Sequence, residues 1–261
     1  MAVNTDYLLH LADNALILGQ RNAEWCGHAP ILEEDLAISN ISLDLIGQAR
    51  MLYQHVAVLR KDGRSSEDLL AYFRDVPDFR NYTLLELPHS TALAPTASGD
   101  RDYAVTVARN YLYSALMVLV WETLQNCKDA QLAAIAAKSL KEAHYHLRYS
   151  RDWVVRFGDG TEESHQRIAA AMAFLMPYTQ EFWDHSSMEK NAAADGVGVE
   201  PASLRVNWEA EVAATLTLAT LPAVSTQGFV PQGKHGVHSE HLGYVLAEMQ
   251  SLARAHPEAV W

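Results

Sequence analysis

Glu142 and His146 stand four residues apart in KEAHYHLRYS, residues 141–150, inside a segment of helical periodicity, so both side chains fall on one side of a helix. A carboxylate and an imidazole so placed can ligate iron, or can satisfy each other inside a protein without any metal. A di-iron carboxylate site in a helical bundle draws one Glu from each of two helices and a Glu-x-x-His pair from each of two more, all projecting inward. That spacing occurs twice here. Glu86 to His89 encloses Pro88, which opposes an interior helical turn. Glu162 to His165 follows GDGT, where Thr161 suits an N-cap and Glu162 and Glu163 suit the first turn. The stretch YLYSALMVLVW, 111–121, should lie mid-helix in such a bundle and holds no Asp, Glu or His.

Projected at about 100° per residue, Leu132, Ala136, Ser139, Ala143, His146, Ser150, Trp153 and Phe157 share one face. This predicts His146 within the buried stripe and Glu142 at its edge. Lys138, Lys141, His144, Arg148 and Arg151 take the opposite face. A second candidate pair, Asp44 and Gln48, is one turn apart in DLIGQAR. Together they predict a metal-free polar core of Asp44, Gln48, Glu142 and His146, satisfied by hydrogen bonds and a basic side chain such as Arg50.

The elements that must position these groups read as helices throughout. Apolar residues recur at helical spacing, and no stretch alternates β-branched and polar residues between turns, so the chain is expected to be all-α. Helices are predicted near 3–20, 30–60, 65–73, 100–126, 128–157, 161–189, 201–220 and 237–255. Pro30 and Pro201 suit first turns, Glu33, Glu34 and Asp35 complement a helix N-terminus, and Pro177 should kink the 161–189 helix. Stops are expected at Gly63, FGDGT (157–161), ADGVG (194–198) and PQGKHG (231–236). Long helices joined by short turns imply an antiparallel bundle, and no linker or repeat divides 1–261, so a single helical domain is expected.

Composition narrows the function. The 261 residues are 49% hydrophobic and carry a net charge of −12, which repels phosphate backbones and argues against nucleic acid. The N-terminus lacks the basic and apolar regions of a signal peptide, and the longest nearly apolar run, 111–121, is short of a bilayer span. Two distant cysteines, Cys26 and Cys127, argue against a disulfide framework, so a cytoplasmic location is expected. Nucleophile-elbow and P-loop patterns are missing. GKHGVHSEHL, 233–242, gathers His235, His238 and His241 at a helix start; a surface or capping role is expected there before a metal or an interface. The basic stripe of Lys138, Lys141, Arg148 and Arg151 reads as a solvated face, or as a dock for an acidic partner or an anion such as a CoA phosphate.

EWCGHAP (24–30), DLIGQAR, KEAHYHLRYS, WEAEV (208–212) and HSEHLGYVLAEMQSLARAHP (238–257) appear in order along nearly the whole chain. In these motifs the sequence resembles the C subunits of bacterial phenylacetyl-CoA epoxidases, the ring 1,2-monooxygenases of phenylacetate degradation. The resemblance implies a ferritin-like helical bundle with additional helices. It also implies a structural subunit, without a cofactor of its own, in a hetero-oligomer with a catalytic di-iron A subunit. A reductase bearing flavin and an iron-sulfur cluster and other subunits of the complex are further implied partners, and the isolated chain could pair with itself. Trp25, Trp183, Trp208 and Trp261 are candidate interface residues, each weighed against a place in the core. Two other functions remain open on the residues: an oxygenase with an unusual iron site at Asp44, Glu142 and His146, and a stand-alone CoA-ester binding protein.

Overall fold

α1, Thr5–Ala23, runs antiparallel into α2, Leu32–Arg60, in a computed structural model that describes residues 5–62, 65–93 and 101–259. α1 is buried nearly all round, its polar side chains His10, Asp13, Asn14, Arg21 and Asn22 included. α2 begins two residues after Pro30 with Glu33, Glu34 and Asp35 in its first turn, and it ends on Lys61 in the left-handed conformation. The expected stop at Gly63 lies outside the described residues.

Two compact units emerge from the chain's internal packing. The first takes the residues up to Leu87 and those from Gln232 onward: α1, α2, a short α3 (Glu67–Tyr72), a one-turn α4 (Thr83–Glu86) and the C-terminal helix. The second, Pro88–Pro231, is built on α5 (Tyr103–Leu124) and α6 (Ala130–Gly158), a second long antiparallel hairpin. α7 (Glu162–Leu175), α8 (Gln180–Trp183), α9 (Ser187–Asp195) and α10 (Arg205–Leu218) complete it. The C-terminal helix of the first unit is α11, Glu240–Ala255. The protein is all-α: among the described residues no strand forms, and a lone bridge between Gln232 and Val237 closes a turn.

Where the observed helices depart from expectation, the cause is local. Pro177 does more than kink the predicted 161–189 helix. It breaks it into α7, a 3-10 turn at Met176–Thr179, α8 and α9. Thr161 caps α7 as expected, accepting from Ser164 N at 3.2 Å. Gly196 ends α9 at φ 76°, a conformation that favours glycine.

α5 reaches 22 residues and is apolar enough by length and composition to cross a bilayer, although its nearly apolar run spans only 111–121. Its most apolar window is 94% buried inside the protein, so it is the core helix of its unit. Trp208 Nε1 donates to Leu112 O of α5 at 3.0 Å and Tyr111 Oη donates to Glu211 O at 3.2 Å, tying α10 onto it. Asp102 caps α5 through Ala104 N at 2.9 Å and also accepts from Arg167 of α7 at 2.7 Å.

Candidate functional site

His146 lies buried on α6 and Glu142 half-buried one turn before it, as the helical projection predicts. Leu132, Ala136, Ser139, Ala143 and Ser150 are buried with His146, but Trp153 and Phe157 are only half-buried. Val154 and Gly158 take the inner positions instead. A seven-residue rhythm drifts by about 20° per heptad on a straight 3.6-residue helix, and over three heptads the seam has turned away. Glu142 Oε1 approaches Lys138 Nζ at 3.7 Å, and the Ser150 hydroxyl donates to His146 O at 2.6 Å.

Asp44, half-buried, and Gln48, buried, sit one turn apart on α2 of the first unit; Glu142 and His146 belong to the second. Arg50 does not serve the polar core as expected. It faces outward and donates Nε–H to Glu67 Oε1 at 2.9 Å, because two further residues on from Gln48 carry the chain round to the outer face of α2. On the basic face of α6, Lys138, Lys141 and Arg148 are exposed, with the Arg148 guanidinium 5.8 Å from the Tyr145 ring. Arg151 Nε is 3.6 Å from Glu211. The stripe is thus partly neutralised by the protein's own carboxylates, in pairs of the exposed kind that contribute about 0–1 kcal/mol each.

The histidines of 233–242 part company. His235 is exposed, but His238 and His241 are not the surface groups the sequence suggested. His238 Nδ1 meets Glu86 Oε2 at 2.8 Å, and its Nε2 donates to Phe79 O at 3.0 Å. The same carboxylate accepts from Ser239 N at 2.6 Å, at the start of α11, and from Asn81 Nδ2 at 2.9 Å. A carbonyl can only accept, so Nε2 carries a proton, and the Nδ1–Oε2 contact holds another between imidazole and carboxylate. Burial, with Arg21 nearby, holds His241 below its usual range. His238 had looked exposed because a helix start is ordinarily solvated; here the 232–237 turn tucks beneath α4, with Gly233 N donating to Thr83 Oγ1 at 3.2 Å.

Glu86 is therefore committed, and so is His89, whose Nδ1 lies 2.6 Å from Thr106 Oγ1 and 2.7 Å from Arg109 Nη2 in the second unit. Arg109 is fully buried on α5 and also reaches Pro88 O at 3.4 Å. The Glu86-to-His89 spacing marks no ligand pair. Trp25, Trp183 and Trp208 are buried core residues, and Trp261 lies outside the described residues.

A buried polar stripe on α1 went unread in the sequence. Asp13 accepts from Tyr53 Oη at 2.5 Å, from Arg80 N at 2.8 Å and from the Arg74 guanidinium. His10 Nδ1 donates to Arg80 O at 2.6 Å, and Asn14 Oδ1 accepts from Tyr82 N at 2.8 Å. Two turns further, Arg21 donates to Glu86 O at 2.6 Å. These side chains satisfy the backbone of the irregular 74–86 strap, which has no ladder of its own. From the other side, Gln250 of α11 donates to Ala71 O and Arg74 O at 3.1 and 3.0 Å. The stripe's regular i, i+3, i+4 spacing, His10, Asp13, Asn14, was its available signal.

Mid-α5 offers Leu, Met and Val, Glu86 is held by three hydrogen-bond partners, and among the described residues no group of three or more His, Cys, Asp or Glu is placed to hold a metal ion.

The chain has recognisable relatives among known proteins. The family described as "Phenylacetic acid catabolic protein" matches residues 2–261. Over 257 residues, 98% of each chain, the sequence is 44% identical to the C subunit of the 1,2-phenylacetyl-CoA epoxidase of Escherichia coli (strain K12).

Proposed function

The chain belongs to the phenylacetic acid catabolic protein family, with its all-α, ferritin-like fold, and from that premise we propose that it is a non-catalytic structural subunit of a phenylacetyl-CoA epoxidase. In this reading it pairs with the catalytic di-iron subunit and holds no metal itself. The observation that carries it is residues 111–121 of α5: the middle of the most buried helix presents no Asp, Glu or His, the ligand types of a di-iron carboxylate site. Iron needs carboxylate or imidazole at that depth, and Leu116, Met117 and Val118 supply neither. The buried polar groups that remain serve packing, since hydrogen-bonded charge in an interior specifies one arrangement of chain against chain. Flavin and iron-sulfur chemistry belong, in this proposal, to the reductase of the complex. Because the sequence matches an epoxidase subunit along its length, the substrate class follows that relative: an aromatic acyl-CoA thioester.

Co-expression with the di-iron subunit tests this. The two should elute together on size exclusion, with iron stoichiometry tracking the partner and turnover of the assembled complex unchanged by Glu142→Ala. Stoichiometric iron in the isolated chain, lost in Glu142→Ala, would reject the reading.

A further inference from the structure

Where Pro177 breaks the helix, a cavity of about 440 Å³ opens within the second unit. Gln180, the first residue of α8, and Arg205, the first of α10, line it. Thr226, Gln227, Gly228 and Val230 of the irregular 222–230 segment complete it. That segment is pinned at its ends by the buried Leu221 and Pro231. Between them the Phe229 ring packs edge-on against Tyr178, 5.1 Å between centroids, and a Cβ at Gly228 would touch Pro177 at 3.5 Å. The wall therefore has a fixed place beside the break.

Hydrogen-bond donors dominate this lining. Arg205 supplies a guanidinium, Gln180 and Gln227 supply amides and Thr226 a hydroxyl, while among the described residues no carboxylate lines the cavity. The two amides and the hydroxyl hydrogen-bond to no other group among those residues. Arg205 commits one N–H elsewhere: Nε donates to Glu209 Oε1 at 2.7 Å, in an ion pair open to solvent. Its remaining N–H groups stay available. Behind it the Trp183 ring lies 5.9 Å away and packs on Trp208 at 5.3 Å, so the guanidinium is backed by the core.

We propose that this cavity binds a small organic monocarboxylate, its carboxylate on Arg205 and the two amides and its apolar body against Val230. A planar carboxylate takes parallel N–H donors from a guanidinium fork, and its further lone pairs suit the amides and the Thr226 hydroxyl. One positive charge already shared with Glu209 balances at most one negative charge, so a phosphate dianion would be left uncompensated beside that carboxylate. Val230 is 43% exposed and Gly228 carries no side chain, which gives the ligand body an apolar wall and room beside it. The volume falls within the range of small-molecule sites, about 300–1,000 Å³. The site does not depend on the role proposed above.

Titration calorimetry on the full chain, near neutral pH and at low salt, carries the test, with benzoate as probe and benzamide and inorganic phosphate beside it. Benzoate should bind about tenfold or more tightly than either. Arg205→Met should weaken benzoate by about tenfold or more, and Arg205→Lys less, since a point charge replaces the fork. Glu209→Gln releases the guanidinium from its internal rival and should tighten benzoate by about twofold to fivefold. Gln227→Glu, at an exposed position outside any helix, should abolish binding at an unchanged thermal melt. No saturable binding up to millimolar benzoate overturns the proposal. So does benzoate binding that survives Arg205→Met or Gln227→Glu, weaker binding in Glu209→Gln, or equal affinity for phosphate or benzamide.

Discussion

Glu86 and His238, 152 residues apart in sequence, meet at 2.8 Å with neither side chain exposed. The carboxylate also accepts from Ser239 N, so one buried negative charge stands at the start of α11 and binds the histidine beside it. Glu86→Gln puts an amide nitrogen where donors already point, against Ser239 N on one oxygen or Asn81 and His238 on the other. Losing one partner of a buried pair costs about 3 kcal/mol. Urea denaturation should show a lower midpoint at the same slope; a loss under about 1 kcal/mol would count against the pair as a clasp.

His10 gives the protein an acid liability. Burial, the largest cause, pushes it down to about 3, with Lys234 and His235 adding to the fall and its bond to Arg80 O opposing it. The folded ring stays neutral while the unfolded ring takes up a proton below its ordinary 6.5, so the unfolded state gains protons as pH falls. Stability from this group is therefore intact above pH 6.5 and drains between 6.5 and about 3, by up to about 1.4 kcal/mol per pH unit. Melting temperature against pH should fall less steeply in His10→Asn than in the parent over that window. Parallel curves would refute the assignment.

Arg74 is paired with Asp13 and lies 4.2 Å from the Phe79 ring centroid. Arg74→Ala leaves the fully buried Asp13 without its guanidinium and should destabilise by about 3–5 kcal/mol. Arg74→Met with Asp13→Asn should recover part of that loss, since the amide removes the unpaired charge, keeps one acceptor oxygen for Arg80 N and can donate to the Tyr53 hydroxyl. A double-mutant cycle in urea measures the coupling. Tyr53, whose hydroxyl is raised well above its usual range first by burial and then by Asp13, should remain protonated in an ultraviolet alkaline titration until the chain unfolds.

Gly158→Ala is expected to destabilise by about 1–3 kcal/mol through overpacking. The new Cβ would sit inside contact distance of Ala219 O and 2.8 Å from Ala219 Cβ, where α6 ends against the turn after α10. Thr220, held at φ 56° beside it, donates its hydroxyl to Gly158 O at 3.1 Å, so the backbone has little room to withdraw. Thermal denaturation of Gly158→Ala beside Gly243→Ala in α11, whose Cβ meets nothing and which should gain about 0.5–1 kcal/mol of helix propensity, separates packing from propensity.

The helices were legible because a 3.6-residue rhythm is local. α1, α2, α5, α6 and α11 stand close to their predicted spans, and His146 was placed correctly from one projection. The strap was not legible. Thr83–Glu86 makes a single turn, too short to show a period, and its stability comes from α1 and α11 side chains far away in sequence. His238 was misplaced for the same reason: its partner lies on the strap, and nothing near 238 announces Glu86. Arg50 was misassigned by charge alone, two residues past the inward pair and on the wrong face.

The first unit is stitched from both stretches of the chain, whereas Pro88–Pro231 is contiguous. On the ribosome, at roughly 5–20 residues per second, His238 follows Glu86 by about 8–30 s. Through that interval the strap carries a carboxylate destined for burial and must keep it hydrated, while the contiguous unit is being made and receives its last residue, Pro231, seven positions before His238. The middle of the polypeptide is thus complete before the first unit is, and the beginning waits for the end.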